Sequence, residues 1–141
     1  MSLFQLTLRV HQWLYERSDG LIGHRALGVP TLLLRTTGAR SGQKRTNALV
    51  YAADGDRYLV VASKGGSDRA PGWFHNLKQD PDVEIQIARR RIPARATIIG
   101  GQDADYERVW RIVNEGNSNR FAEYQTRTSR TIPVVALTAR P

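Results

Sequence analysis

The chain has 141 residues, 40% of them hydrophobic and 24% charged, with 21 lysines and arginines against 13 aspartates and glutamates, a formal net charge of +8. This is the composition of one globular domain with a sizeable core, and its charge suits an anionic ligand, nucleic acid, an anionic membrane face or plain solubility. The absence of cysteine excludes disulfides, thiolate metal sites, iron–sulfur clusters and a cysteine nucleophile.

Leu3, Leu6, Val10, Trp13 and Leu14 recur at helical spacing, which predicts an amphipathic helix over residues 3–17, stopped by Ser18-Asp19-Gly20. Either it packs on the domain, or Phe4 and Trp13 make a peripheral membrane contact. Residues 1–20 are taken as this helical element and residues 21–141 as one barrel domain. Residues 31–37 are a short apolar run after Pro30 and read as a buried strand. Residues 46–53 and 58–63 flank Asp54-Gly55, a hairpin signal. Residues 71–79 read as a short helix begun at Pro71 and ended by Asp80-Pro81.

Val83, Ile85 and Ile87 alternate with Glu84 and Gln86, and Ile92, Ala94, Ala96 and Ile98 alternate with polar residues. Both are strands of period two with one buried face, joined through Arg89-Arg90-Arg91. Asp103 is the expected N-cap of a helix carrying Tyr106, Val109, Trp110 and Val113, closed by Gly116. Residues 117–119 read as a polar loop, 121–126 as one or two helical turns, and 132–138 as the last strand. About six strands with such short connections predict a mainly antiparallel sheet with peripheral helices, in a small closed or split β-barrel.

Between Asp19 and Asp54 there is no carboxylate, while Arg25, Arg35, Arg40, Lys44 and Arg45 all fall there. A loop reading Thr37-Gly38-Ala39-Arg40-Ser41-Gly42 precedes Lys44 and Arg45, and a second small-residue loop, Ser63-Lys64-Gly65-Gly66, follows one hairpin later. Two such loops can converge on one side of a sheet and hold phosphates or carboxylates through cations and backbone amides; either can also be a solvated turn. Trp73 and Asn76 are three apart on a helix, placed for an aromatic ring system, or else are a core residue and a surface residue. The first loop is neither a Walker A loop nor a dinucleotide fingerprint, since a strand follows it. No nucleophile–base constellation or carboxylate pair stands out, so in an enzyme a bound cofactor has to carry the chemistry. His11, His24 and His75 lack ligand spacing, and no metal is expected. The basic runs lack interleaved aromatics, which counts against nucleic acid. No apolar run approaches the ~18 residues of a spanning helix, and no signal-peptide order opens the chain, so a cytoplasmic protein, with membrane association left open, is expected.

Taken in order, Thr37-Gly38-Ala39-Arg40-Ser41-Gly42 through Arg45, Ala62-Ser63-Lys64-Gly65-Gly66, Trp73-Phe74-His75-Asn76-Leu77, Pro81 and Tyr124-Gln125-x-Arg127-Thr128-x-Arg130-x-Ile132-Pro133-Val134 resemble the deazaflavin-dependent nitroreductase family. The resemblance implies a split β-barrel that binds coenzyme F420, a tricyclic deazaflavin with a phospholactate linker and a polyglutamate tail. It implies that Arg40, Ser41, Lys44 and Arg45 hold phosphate and glutamates, and that Ala48, Leu49 and Val50 line the side of the ring. Ser63, Lys64 and Gly65 would meet the ring edge, with Trp73 and Asn76 on its far side. Ser118, Phe121 and Tyr124 align with the tyrosines that cover the ring in nitroreductase-active relatives. Only Tyr124 keeps a phenol, which makes it the implied substrate hydrogen-bond or proton donor. Ala39-Arg40 keeps one cation where relatives often carry a basic pair. The implied reaction is hydride transfer from reduced F420 to a small-molecule acceptor: a quinone, an enone or a nitro compound. The alternatives are a non-catalytic carrier on the same barrel and FMN in place of F420, in a monomer or a homodimer.

Overall fold

The computed structural model describes residues 29–141. Its seven strands are β1 (Thr31–Thr37), β2 (Lys44–Val50), β3 (Ala52–Asp54), β4 (Arg57–Val61), β5 (Asp82–Ile87), β6 (Arg90–Ile99) and β7 (Val134–Ala139), with helices α1 (Gly72–Gln79), α2 (Tyr106–Glu115) and α3 (Arg120–Gln125). All seven belong to one sheet, in the order β2-β1-β5-β6-β7-β4-β3, and every pairing is antiparallel.

The two edge strands, β2 and β3, are separated in sequence by Tyr51 alone. Two Cα–Cα steps of ~3.8 Å are all that join the sheet's two ends there, so the sheet has to curl until its edges meet at that corner. The result is the expected split barrel, with seven strands where about six were read. The strand expected over residues 46–53 divides at Tyr51, whose backbone N–H donates to Pro30 O at 3.1 Å. Its first part pairs with β1, and its last part forms the Asp54-Gly55 hairpin with β4, where Gly55 supplies φ +61°.

Alternation sorts side chains between two cores. Leu32, Leu34, Val60, Ile85, Ala94, Val135 and Leu137 point into the barrel, where Trp73, Phe74 and Leu77 of α1 meet them. Leu59, Val61, Val134 and Ala136 point outward from β4 and β7 and are covered by Val109 and Val113 of α2, with Phe121 and Tyr124 of α3 at the margin. Each leucine or valine buried in this way contributes about 1.5–3 kcal/mol. Asn114 stitches the two outer helices, donating to Trp110 O at 2.9 Å and accepting from Ala122 N at 2.7 Å.

Several local expectations need correcting. Gln86 is fully buried, because its Nε2 donates to Ala88 O at 3.0 Å across the β5–β6 turn, where Ala88 sits at φ +53°. Arg90 and Arg91 belong to β6, leaving only Ala88 and Arg89 in that turn. The cap residue of α2 is Asp105 rather than Asp103, since the Asp103 carboxylate accepts from Gly100 N at 2.6 Å and closes the preceding turn. Asn117, read as part of a polar loop, is buried. The last strand begins at Val134, two residues late. The helix expected over residues 3–17 and the boundary near residue 20 lie outside the described residues. No described helix is long and apolar enough to cross a membrane.

Candidate cofactor site

The loop between β1 and β2 is built by its glycines. Gly38 N donates to Gln43 O at 2.8 Å and Gly42 N to Gly38 O at 2.9 Å, with Gly42 at φ +70°. A side chain at Gly38 would stand 2.7 Å from Ser41 Oγ and 3.2 Å from Gln43 O, so nothing larger fits without moving the turn. Arg40 and Ser41 of the loop, with Arg45 of β2, line a cleft of about 540 Å³, whose other wall is Gly72, His75 and Asn76 of α1. Such a volume lies within the ~300–1,000 Å³ usual for small-molecule sites.

Asn76 holds the two walls together. Its Oδ1 accepts from Ala39 N at 2.9 Å, and its Nδ2 donates to Thr36 Oγ1 at 3.1 Å. The sequence reads Trp73 and Asn76 either as sharing a face toward a ring system or as a core and a surface residue, and burial matches the second for Trp73 but not the first. Trp73, Phe74 and Leu77 form the buried face, with Trp73 3% exposed, while Asn76 is half-buried toward the cleft. His75 and Gly72 were missed as cleft residues. The spacing 72, 75, 76, opposite the apolar 73, 74, 77, is the signal that would have found them.

The electrostatics of the loop are one-sided. Arg40, Lys44, Arg45 and Lys64 have no carboxylate partner among the described residues, whereas Arg35, Arg57, Arg95 and Arg108 are each paired. The backbone amides of Arg40 and Ser41 likewise have no acceptor among the described residues. Two adjacent free N–H groups beside two arginines are a donor set for an anion.

The remaining expected residues fall into two groups. Ala48, Leu49 and Val50 lie on β2, paired with Leu33, Leu32 and Thr31, and Leu49 packs against the barrel core. Ser63, Lys64 and Gly65 lie on the β4–α1 loop, outside the lining of the cleft just described. There Gly65 and Gly66 take φ +62° and +84°, and Gly66 N donates to Ser63 Oγ at 3.2 Å. Phe121 and Tyr124 sit together on α3 with ring centroids 6.1 Å apart, and the Arg127 guanidinium lies 5.6 Å from the Tyr124 ring. Ser118 lies exposed in the α2–α3 turn at φ +52°. The Tyr124 hydroxyl has no hydrogen bond among the described residues; that of Tyr106, by contrast, donates to Ile132 O at 2.6 Å, and burial pushes its pKa up.

Comparison with known proteins gives the family. A family model described as F420H(2)-dependent quinone reductase matches residues 7–139. The F420H(2)-dependent quinone reductase of Mycobacterium tuberculosis strain ATCC 25618 / H37Rv is 56% identical over 134 residues, 94% of this chain and 90% of that protein. Among solved structures, an F420-H2 dependent reductase superposes with a TM-score of 0.68 at 38% identity, covering 77% of this chain and 93% of that one. A chain described as a domain-swapped dimer gives a TM-score of 0.71 at 32% identity, covering 96% and 99%. With a family match over nearly its whole length and a relative at 56% identity, the chain belongs to the F420H(2)-dependent quinone reductase family.

Proposed function

We propose that the protein reduces a quinone with F420H2, and that the cationic loop over the β1–β2 cleft is where the cofactor's anionic tail binds. The observation that carries this reading is that Arg40, Lys44 and Arg45 have no carboxylate partner, and the amides of Arg40 and Ser41 no acceptor, among the described residues. A tail of phosphate and carboxylates is the ligand chemistry that such a donor set rewards. Gly42 has open space around it, and the cleft has the volume for a ligand of that kind.

When bound, F420H2 supplies a hydride to the acceptor. The protein's residues orient and place charge. Arg40, Lys44 and Arg45 anchor the tail, and Asn76 keeps their loop against α1. On the resemblance drawn above, the residue 63–65 loop takes the ring edge, and Ala48, Leu49 and Val50 its side. Phe121 and Tyr124 face the acceptor, and the Tyr124 hydroxyl, without a hydrogen bond among the described residues, donates one to the acceptor oxygen as negative charge develops there. A quinone offers that oxygen; enones and nitro compounds are further acceptors for the same assay.

The test is an equilibrium titration with F420 read by tryptophan fluorescence, run beside FMN. Saturable F420 binding, weakened roughly tenfold or more in Arg45→Ala by the loss of one charge-assisted contact, supports the reading. Tighter FMN binding, or an Arg45→Ala variant that binds as wild type does, overturns it. The competing carrier reading accepts the same binding and denies turnover.

A further inference from the structure

The segment between α3 and β7 has no regular structure, yet it grips the loop of residues 62–68 at several points. Arg130 Nη2 donates to Ala62 O at 3.0 Å, and its Nε donates to Ser67 O at 3.2 Å. One guanidinium therefore bridges both feet of the loop that carries Ser63, Lys64 and Gly65. Thr128 Oγ1 donates to Asp68 Oδ1 at 2.6 Å, and Arg127 Nη1 reaches Gly65 O at 3.4 Å. The clamp is itself braced by Gln125, whose Nε2 donates to Arg130 O at 2.7 Å and whose Oε1 accepts from Ile132 N at 2.9 Å.

The loop needs such support. Gly65 and Gly66 lie at positive φ, and glycine there has little intrinsic preference for one conformation. Gly66 also lies so close to α3 that an added Cβ would stand 2.8 Å from Tyr124 O and 2.9 Å from Arg127 Cβ. The loop and the C-terminal end of α3 are thus in backbone contact. A rigid, planar fork holds two carbonyls in fixed geometry; a lysine ammonium is a point charge on a flexible stem and holds them less tightly.

We infer that Arg130 is a positioning residue. It fixes the residue 63–66 loop for the cofactor and ties that loop to the helix carrying Phe121 and Tyr124, an inference that rests on the cofactor reading above. It acts through the loop and touches no reacting atom, so its loss has to appear in cofactor affinity more than in turnover.

The experiment compares wild type, Arg130→Ala and Arg130→Lys by amide hydrogen exchange of the cofactor-free protein, by F420 affinity and by F420H2-dependent turnover. Arg130→Ala is expected to speed exchange at residues 63–67 while strand amides keep their protection. Its Kd for F420 rises roughly tenfold, the effect of losing a charged donor to two carbonyls, with kcat at saturating cofactor within about threefold of wild type. Arg130→Lys recovers only part of the affinity. Unchanged exchange at residues 63–67, or unchanged F420 affinity, overturns the inference, as does an acceleration spread evenly over the chain. Should Arg130→Ala not fold, Arg130→Lys and Thr128→Val carry the same comparison. Failure of wild type to bind F420 overturns the cofactor reading instead, and local exchange alone then decides whether the clamp exists.

Discussion

Asn76→Ala is the perturbation that separates a strut from a surface amide. It removes two hydrogen bonds, from Ala39 N at 2.9 Å and to Thr36 Oγ1 at 3.1 Å. Thr36 is fully buried, so its hydroxyl is left without water as a substitute. Two lost bonds at about 1 kcal/mol each, plus a desolvation penalty of about 1–2 kcal/mol for the stranded hydroxyl, give a gross cost of about 3–4 kcal/mol. Alanine returns up to ~0.7 kcal/mol in helix propensity. The net loss of about 2–3 kcal/mol corresponds to a fall in Tm of roughly 8–12 °C at about 4 °C per kcal/mol. A double-mutant cycle with Thr36→Val sharpens the test. With both partners gone no buried hydroxyl is stranded and the shared bond is lost only once, so the cycle shows a coupling of about 2–3 kcal/mol. Thermal and urea denaturation measure both quantities. A melt within ~2 °C of wild type, or an additive cycle, would refute the reasoning.

Other expectations follow from the same geometry. Gly66→Ala forces a Cβ to 2.8 Å from Tyr124 O at φ +84°, for a loss of about 2–4 kcal/mol from strain and overpacking together. Gly65→Ala meets no atom within 4 Å and costs only the ~1–2 kcal/mol of a left-handed backbone; paired urea melts should rank the two in that order. Leu34→Ala, fully buried in the barrel, should cost about 2–5 kcal/mol in the same assay. The Asp54 carboxyl is held well below the usual carboxylate range, chiefly by hydrogen bonds from Arg108 and then Arg57. A depressed carboxylate stabilises the fold above its unfolded pKa of about 3.9 and loses that contribution as pH falls below it. Asp54→Asn should therefore lower Tm at pH 7 and flatten the Tm profile between about pH 5 and pH 2; an unchanged acid limb would contradict this.

The local elements were legible because their signals are local. Asp54-Gly55 announced the β3–β4 hairpin, the alternation of β6 sorted Ile92, Ala94 and Ala96 inward, and the spacing of Tyr106, Val109 and Val113 gave α2. The break at Tyr51 was not legible. The backbone stays extended on both sides without glycine or proline, and only the partner strands change, on opposite edges of the sheet. The sequence offered Asp103 as the cap; its carboxylate is spent on Gly100, and the helix starts after Asp105, whose carboxylate meets Arg57 and Arg108 and makes no capping bond. At the site, the cationic loop could be read directly, since like charges cluster within a few residues of Arg40. The partners of Asn76 and Arg130 could not. Asn76 reaches Thr36 and Ala39, Arg130 reaches Ala62 and Ser67, and contacts that distant in sequence leave no periodicity in the chain. The resemblance named Arg130 within a motif and placed Asn76 at the ring, but gave neither residue its partners in the protein.

The most direct test of the account is turnover: purified protein, F420H2 and a soluble quinone, with oxidation of the cofactor and reduction of the quinone followed together. The expected result is saturable, one-for-one conversion of F420H2 and quinone to F420 and hydroquinone, with kcat lowered in Tyr124→Phe and the KM for cofactor raised in Arg45→Ala. Tight F420 binding with no quinone reduction above the protein-free rate would contradict the account and leave a carrier on the same barrel.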